Sequence, residues 1–142
     1  MNPKILNFLK NEKLCVLSVL LEGNQPYGAV MHYSVQENPL KLYIQTSKTT
    51  TKAKPFLEGG SGKAAVTIGF NDHDWVALQM TGNLNMVSQD HLEEVSKIHY
   101  LQHPGAEVHR RPDTIFLEFV PTGWKYTDFK PTPITILKET SE

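Results

Sequence analysis

The chain has 142 residues, of which 39% are hydrophobic and 20% charged, and its 14 basic and 15 acidic side chains give a formal net charge of -1. This length and composition are typical of a single globular domain, residues 1–142, that buries a core of its own. The charge balance argues against a broad nucleic-acid surface, and no segment approaches the ~20 apolar residues that span a membrane.

Two features of the N-terminal part indicate where the protein resides. Cys15 is the one cysteine of the sequence and cannot form an internal disulfide, which is typical of a reducing compartment. It lies in an apolar run, which predicts a buried and unreactive thiol. The first residues do not resemble a secretory signal, because Asn7 and Lys10 interrupt them. We therefore expect a cytoplasmic protein.

The first half of the chain predicts a short helix followed by strands. Asn2 and Pro3 are typical of a helix start, and a second short helix is expected at 50–57, where Pro55 limits its extent. The run 14–21 is apolar on both faces and predicts a buried strand that forms a hairpin with the next one. Turn residues separate four predicted strands: 14–21, 27–35, 41–45 and 63–70.

The second half contains the clearest periodicity. Apolar and polar residues alternate over 76–86, which predicts a long strand with one buried face, and Gly82 within it indicates a bulge. Asp90 and Glu93 resemble a capping box that starts a helix running to about Gln102. After it we expect a strand at 113–120, a turn at 121–123, a strand at 124–129 and an extended edge segment from residue 130. Hairpin-linked strands at this spacing favour a mainly β, antiparallel barrel of six or seven strands with short helices.

The segment 42–54 combines a strand with a locally basic, hydroxyl-rich turn. From residue 46 to 52 every side chain carries a hydroxyl or an ammonium group, and no acidic residue lies between Lys41 and Leu57. Hydroxyls, backbone amides and lysines at the end of a strand can bind a phosphate through charge-assisted hydrogen bonds. A solvated loop has the same composition, so the composition alone leaves both readings open.

Other candidate motifs are weaker. The stretch 59–64 resembles a phosphate-binding loop but lacks the hydroxyl after Lys63 that a nucleotide site requires. His99 and His103 have a spacing that can hold a metal on one helix face. No carboxylate or cysteine completes a ligand set, so we expect no metal and a surface or capping role. His32 lies within a predicted strand, and its neighbours do not decide whether it faces the core or a ligand.

Over roughly 14–129 the order of elements resembles the pyridoxamine 5'-phosphate oxidase-like FMN-binding split-barrel family. The residues that carry the resemblance are the strand end Leu42-Tyr43-Ile44-Gln45-Thr46-Ser47, the turn Thr50-Thr51-Lys52-Ala53-Lys54, the strand 76–82 and the segment Pro121-Thr122-Gly123-Trp124-Lys125-Tyr126.

The resemblance implies a split β-barrel that binds FMN. It implies that the flavin phosphate is held by hydroxyl and lysine side chains, which are Thr46, Ser47, Thr51 and Lys52, with Thr50 and Lys54 as further candidates. The flavin ring would lie along a strand segment, through backbone groups of Val30, Met31 and His32, and the residues near Gln79 and Thr81 would flank it. The family forms homodimers with the cofactor at the subunit interface, which implies a second copy of this chain as partner.

Two departures from the family pattern bear on function. Thr51 and Val30 stand where the oxidase has arginines, and the C-terminal substrate motif of the oxidase is absent, so vitamin B6 oxidation is not expected. With these departures, the resemblance implies an FMN-dependent oxidoreductase of unknown substrate and assigns no catalytic residue. The alternatives are a non-catalytic binding or sensing protein for flavin, deazaflavin or haem, with His32 or the group His99, His103 and His109 as haem ligand, and a dimeric interaction module that has lost its cofactor.

Overall fold

Among the described residues, 1–69 and 71–140 without the side chains of 58 and 140, a computed structural model of the chain has eight strands and two α-helices. The strands are β1 Leu14–Leu21, β2 Gln25–His32, β3 Ser34–Gln36, β4 Lys41–Ser47, β5 Ser61–Ile68, β6 Val76–Met86, β7 Thr114–Asp128 and β8 Thr135–Thr140. The α-helices are α1 Pro3–Asn11 and α2 Leu92–Gln102, and the 3-10 helices are Glu22–Asn24, Thr51–Gly59, Gln89–His91 and Pro104–His109. No helix in this part of the chain has the length and apolar character needed to cross a bilayer.

The strands form one antiparallel sheet that curls into a half-barrel, which confirms the predicted fold class. Seven strands follow the order β2-β1-β5-β6-β7-β4-β3, and β8 pairs with β7 beside this path. Strand β7 is the longest: residues 117–128 pair with β6, while on its other edge 114–119 pair with β4 and 123–128 with β8. The sheet is therefore organised around β7.

Helix α1 and strand β1 show how the N-terminal part contributes to the core. The predicted helix start is confirmed, because the Asn2 side chain accepts a hydrogen bond of 2.8 Å from the backbone N–H of Lys4. Ile5 and Leu9 are fully buried. The prediction that β1 is buried on both faces is wrong: Cys15, Leu17 and Val19 point inward, whereas Leu20 is 48% exposed. One face of β1 thus belongs to the outer surface of the sheet.

The predicted strand 27–35 is wrong as a single element, because the chain breaks at Tyr33 into β2 and β3. The Tyr33 hydroxyl donates to the carbonyl of Leu9 at 2.6 Å, and its backbone N–H donates to the carbonyl of Lys13 at 3.2 Å. These bonds to the α1 region take Tyr33 out of the ladder. The chain consequently passes from one end of the sheet order to the other at this residue.

The predicted turn at 121–123 is also wrong, because these residues lie inside the continuous strand β7. Gly82 is paired with Pro121 while Thr81 is paired with Gly123, so the register shifts between Thr81 and Gly82. The extra residue of β7 forms the bulge that was predicted from the glycine at position 82. A bulge accommodates Pro121, which has no N–H to donate to the neighbouring strand.

Other boundaries differ by a few residues. Strand β4 continues to Ser47, beyond the predicted 41–45, and β5 spans Ser61–Ile68 rather than 63–70, of which Phe70 lies outside the described residues.

The predicted capping box at Asp90 and Glu93 is absent: the 3-10 helix Gln89–His91 leads directly into α2, and no side chain caps its start. Helix α2 therefore continues from the 3-10 helix without a side-chain cap.

Helix α2 docks on the short edge strand β3 through its last side chains. The Gln102 amide pairs with both backbone groups of Val35, accepting from its N–H and donating to its carbonyl, each at 2.9 Å. This bidentate bond replaces a neighbouring strand and covers an exposed sheet edge. His103 Nε2 donates to the carbonyl of Tyr33 at 2.6 Å, and His99 Nδ1 lies 2.8 Å from the Ser34 hydroxyl.

His99 is therefore a core residue, and the surface or capping role predicted for it is wrong, whereas His103 does end α2 as its C-cap. Burial, with the nearby His103 and His32 imidazoles, lowers the pKa of His99 to about 4. Burial also lowers the pKa of His103. Both histidines are thus held in the neutral form by the fold.

We expect Gly82→Ala to lower the free energy of unfolding by about 2 kcal/mol or more, because the new Cβ would collide with the Val120 carbonyl oxygen and lie 2.8 Å from the Cα of Pro121. Gly105→Ala is the matched control, since nothing lies within 4 Å of its Cβ position. Urea denaturation of both variants measures the difference, and equal midpoints would contradict this account of the bulge.

We expect acidification to destabilise the fold through His99. Its folded pKa of about 4 lies below the ordinary value of 6.5, so the unfolded chain takes up the proton first. This contribution is fully present above pH ~6.5 and is lost as the pH falls toward 4, by up to about 3 kcal/mol at roughly 1.36 kcal/mol per pKa unit. His103 acts in the same direction. Unfolding free energies from pH 7 to 4 measure the loss, which should be smaller in His99→Gln and unchanged in the exposed control His109→Gln.

Candidate functional site

The end of β4 and the residues after it, 46–52, form what we call the polar turn. Two of its threonines are bonded to each other: the Thr50 hydroxyl donates to the Ser47 carbonyl at 2.9 Å and lies 3.1 Å from the Thr46 hydroxyl. Because the Thr50 proton is engaged, the Thr46 hydroxyl is the donor in the second contact. The structure thus brings Thr46 and Thr50 together, with both hydroxyl protons in use.

Ser47 points away from this pair and is bound to an acidic residue. Its hydroxyl donates to a carboxylate oxygen of Asp113 at 2.5 Å, and the backbone N–H of Lys48 donates to the Asp113 carbonyl at 3.0 Å. Asp113 precedes β7, whose first residue, Thr114, pairs with Ser47. The sequence reasoning missed Asp113, because only the pairing of β4 with β7 brings it to the turn.

Lys52 is the central cation of the polar turn. Its side chain is half-buried, and burial lowers its pKa. No carboxylate among the described side chains lies within ion-pair distance of its ammonium group. Thr51 and Lys54 beside it are exposed. A partly desolvated ammonium without a counter-ion favours the approach of an anion.

The three predicted ring-binding residues on β2 do not share a face. Val30 is 66% exposed and His32 is exposed, and both lie on the outer face, opposite Val16 and Leu14 of β1. Met31 points the other way and packs against the core. Strand β2 approaches both β4 and the 3-10 helix Thr51–Gly59. Strand β2 therefore lies close to the two elements that carry the polar turn.

Gln79 and Thr81 belong to the same outer face but lie farther along the sheet. Across the sheet, Gln79 of β6 is paired with Thr67 of β5. Thr67 is paired with Val16 of β1, and Val16 with Val30 of β2. Three strand spacings of about 4.8 Å place Gln79 roughly 14 Å from Val30. Thr81 lines an open groove of about 600 Å³ on β1, β5 and β6, together with Leu20 and Lys63.

His32 meets the buried histidines at the edge of this region. Its ring centroid lies 5.5 Å from that of His103, which in turn lies 5.0 Å from that of His99. His109 is exposed and does not join this group. Within the described residues, no group of three or more His, Cys, Asp or Glu has a geometry that could hold a metal ion.

No protein-family model matches the chain, and no curated protein matches it. Solved structures do. A general stress protein 26-related protein of the pyridoxinephosphate oxidase family from Clostridium acetobutylicum has a TM-score of 0.70 at 16% identity, over 96% of this chain and 92% of that one. A NimC/NimA family protein from the same organism has a TM-score of 0.68 at 19% identity, covering 96% and 90%. A heme binding protein from Mycobacterium smegmatis has a TM-score of 0.75 at 11% identity, over 93% of this chain but 54% of that one. The chain therefore has the split-barrel fold of the pyridoxamine 5'-phosphate oxidase-like proteins.

Proposed function

We propose that this chain is a cytoplasmic FMN-binding protein of the oxidoreductase type, with the flavin phosphate bound at the polar turn. The observation that carries the proposal is the half-buried Lys52 ammonium group, which has no carboxylate partner among the described side chains. Neutralising it with a phosphate dianion offsets the desolvation that lowers its pKa.

The remaining donors of the polar turn fit a phosphate only in part. The hydroxyl protons of Thr46, Ser47 and Thr50 are engaged within the protein. Thr51 has an exposed hydroxyl, and the backbone N–H groups of Thr51 and Lys52 have no partner within the 3-10 helix Thr51–Gly59, whereas that of Ala53 donates to the Thr50 carbonyl at 3.2 Å. We assign the main phosphate contacts to Lys52 and Thr51, with the other hydroxyls shaping the turn.

The outer face of β2 fits the ring of the same cofactor. Val30 offers exposed apolar surface, and one edge of β2, where no described strand pairs, offers backbone groups for hydrogen bonds to a heterocycle. FMN, when bound, supplies the hydride or electron transfer. The protein holds the phosphate with Lys52 and orients the ring along residues 30–32.

We propose a homodimer as the functional form, with the cofactor at the subunit interface. Leu20 is 48% and Val30 66% exposed on one sheet face, beside the open groove of about 600 Å³ on β1, β5 and β6. Exposed apolar surface of this kind on a sheet face is typical of an association site. A second copy of the chain would cover it.

A second candidate function is haem binding without turnover, on the same scaffold. His32 favours it, because its imidazole is exposed on β2, whereas His103 Nε2 is bound to a carbonyl and His99 is buried. The fold is shared with the heme binding protein from M. smegmatis. A neutral imidazole is a common axial ligand of haem iron.

We expect Lys52→Ala to weaken FMN binding by about 1.5–3 kcal/mol, or roughly 10- to 150-fold in Kd, because it removes a hydrogen bond to a charged phosphate. Lys54→Ala is the matched control, since it removes the same charge from an exposed position two residues away. Titration with FMN, followed by flavin fluorescence, measures both. Equal affinities of the two variants would remove Lys52 from the site.

The absorbance spectrum of the purified protein distinguishes the two candidate functions. A flavin spectrum, or stoichiometric uptake of added FMN, supports the first. A haem band that disappears in His32→Ala supports the second, and the absence of FMN uptake contradicts the first.

We expect the double variant Leu20→Glu, Val30→Glu to be monomeric when the unmodified chain is a dimer, because it places two charges on the proposed interface. Leu101→Glu is the control, since Leu101 is 84% exposed on α2, away from this face. Sedimentation velocity measures the mass of each. An unmodified chain that is monomeric at high concentration contradicts the proposed dimer.

A further inference from the structure

A partly enclosed cavity lies on the opposite side of β4 from the barrel core. It is a cavity of about 320 Å³ between α2 and the outer surface of β4, β7 and β6, and we call it the α2 cavity. Its lining shares no residue with the polar turn or with the groove on β1, β5 and β6. The flavin proposal therefore leaves it unexplained.

The floor of the α2 cavity is a fixed polar network. Glu118 is mostly buried, and its two carboxylate oxygens accept from Lys41 Nζ at 2.9 Å and from the Asn85 amide at 3.3 Å. Tyr43 lies beside Glu118 in the sheet register, and its hydroxyl donates to the Gln36 side chain at 3.0 Å. The Tyr43 oxygen keeps an acceptor position.

The charges around the cavity sum to a negative value. Lys41 and Glu118 neutralise each other, which leaves the exposed carboxylate of Glu94, on the first turn of α2, unbalanced at the rim. Burial, with Glu118 and Glu94 nearby, raises the pKa of Tyr43 to about 12. Tyr43 thus stays neutral and sits in a negative potential.

One side of the wall is apolar and is formed by Met86, Val87 and Val95, beside the polar Ser88 and His91. Val87 and Val95 belong to the small buried cluster that joins α2 to the sheet. At about 30 Å³ per water-sized group, the cavity holds roughly ten non-hydrogen atoms. An apolar side that faces convergent polar groups suits a small molecule with one apolar and one polar end.

We propose that the α2 cavity binds a small primary amine with an apolar body. The ammonium group lies between the Glu94 carboxylate and the Tyr43 hydroxyl oxygen, where both groups accept hydrogen bonds. The apolar body packs against Val87 and Val95. This site is distinct from the proposed flavin site, because its lining includes no residue of the polar turn and none of residues 30–32.

Phenethylamine is a suitable probe, and phenethyl alcohol is its neutral counterpart of the same shape. Backbone-amide NMR of the full-length chain, with and without FMN, follows the titration. The amine should shift the signals of Val87, Ser88 and Val95 and bind about tenfold more tightly than the alcohol, since only the amine forms charge-assisted bonds.

Glu94→Gln should weaken the amine about fivefold, the scale of an exposed ion pair. Glu93→Gln is the matched control: it removes the same charge one residue away, but Glu93 pairs with Arg110 at 2.7 Å and does not line the cavity. Both positions are exposed, so both variants should fold. Equal binding of amine and alcohol, signal shifts that map elsewhere, or equal effects of the two variants would each overturn the proposal. A failure to bind FMN would leave it standing.

Discussion

Backbone pairing along β7 is the constraint on which the rest of the fold depends. This strand of 15 residues pairs with β6 on one edge and with β4 and then β8 on the other, so most of its backbone groups are satisfied within the sheet. A strand of this length must twist, and the bulge opposite Gly82 takes up the extra residue between Pro121 and Gly123. The polar turn and the α2 cavity both include residues of β4, whose position in the sheet is set by its pairing with β7.

Successive side chains of β4 point to opposite faces of the sheet and therefore lie in two different environments. Leu42, Ile44 and Thr46 face the barrel core, whereas Tyr43 faces α2 and Ser47 faces Asp113. Thr46 thus begins the polar turn as a buried hydroxyl, and Tyr43 forms the floor of the α2 cavity. A shift of one residue in the pairing with β7 would exchange the two sets, so the register defines both sites at once.

Sequence reasoning succeeded where the signal is local and failed where the partner is distant. The period of two over β6 and the Asn2 cap are local patterns, and both were predicted correctly. Residues 121–123 have the composition of a turn, but they pair with a strand about forty residues earlier, which no local pattern shows. His99 is hydrogen-bonded to Ser34, and Ser47 is hydrogen-bonded to Asp113, in each case across more than sixty residues. Local composition therefore predicted a basic, hydroxyl-rich turn without showing which of its groups are free to bind.

The distribution of protons within the polar turn decides what it can bind. Three of its hydroxyls donate to protein acceptors, and one of these acceptors, Asp113, is an anion that disfavours phosphate on the Ser47 side. Lys52 is different, because it has lost part of its hydration and gained no described carboxylate in return. An ion pair formed in such a half-buried place is screened less than one at the surface. The affinity of the turn for a phosphate thus rests on one cation, and the hydroxyls around it fix the shape of the site more than they fix the strength of binding.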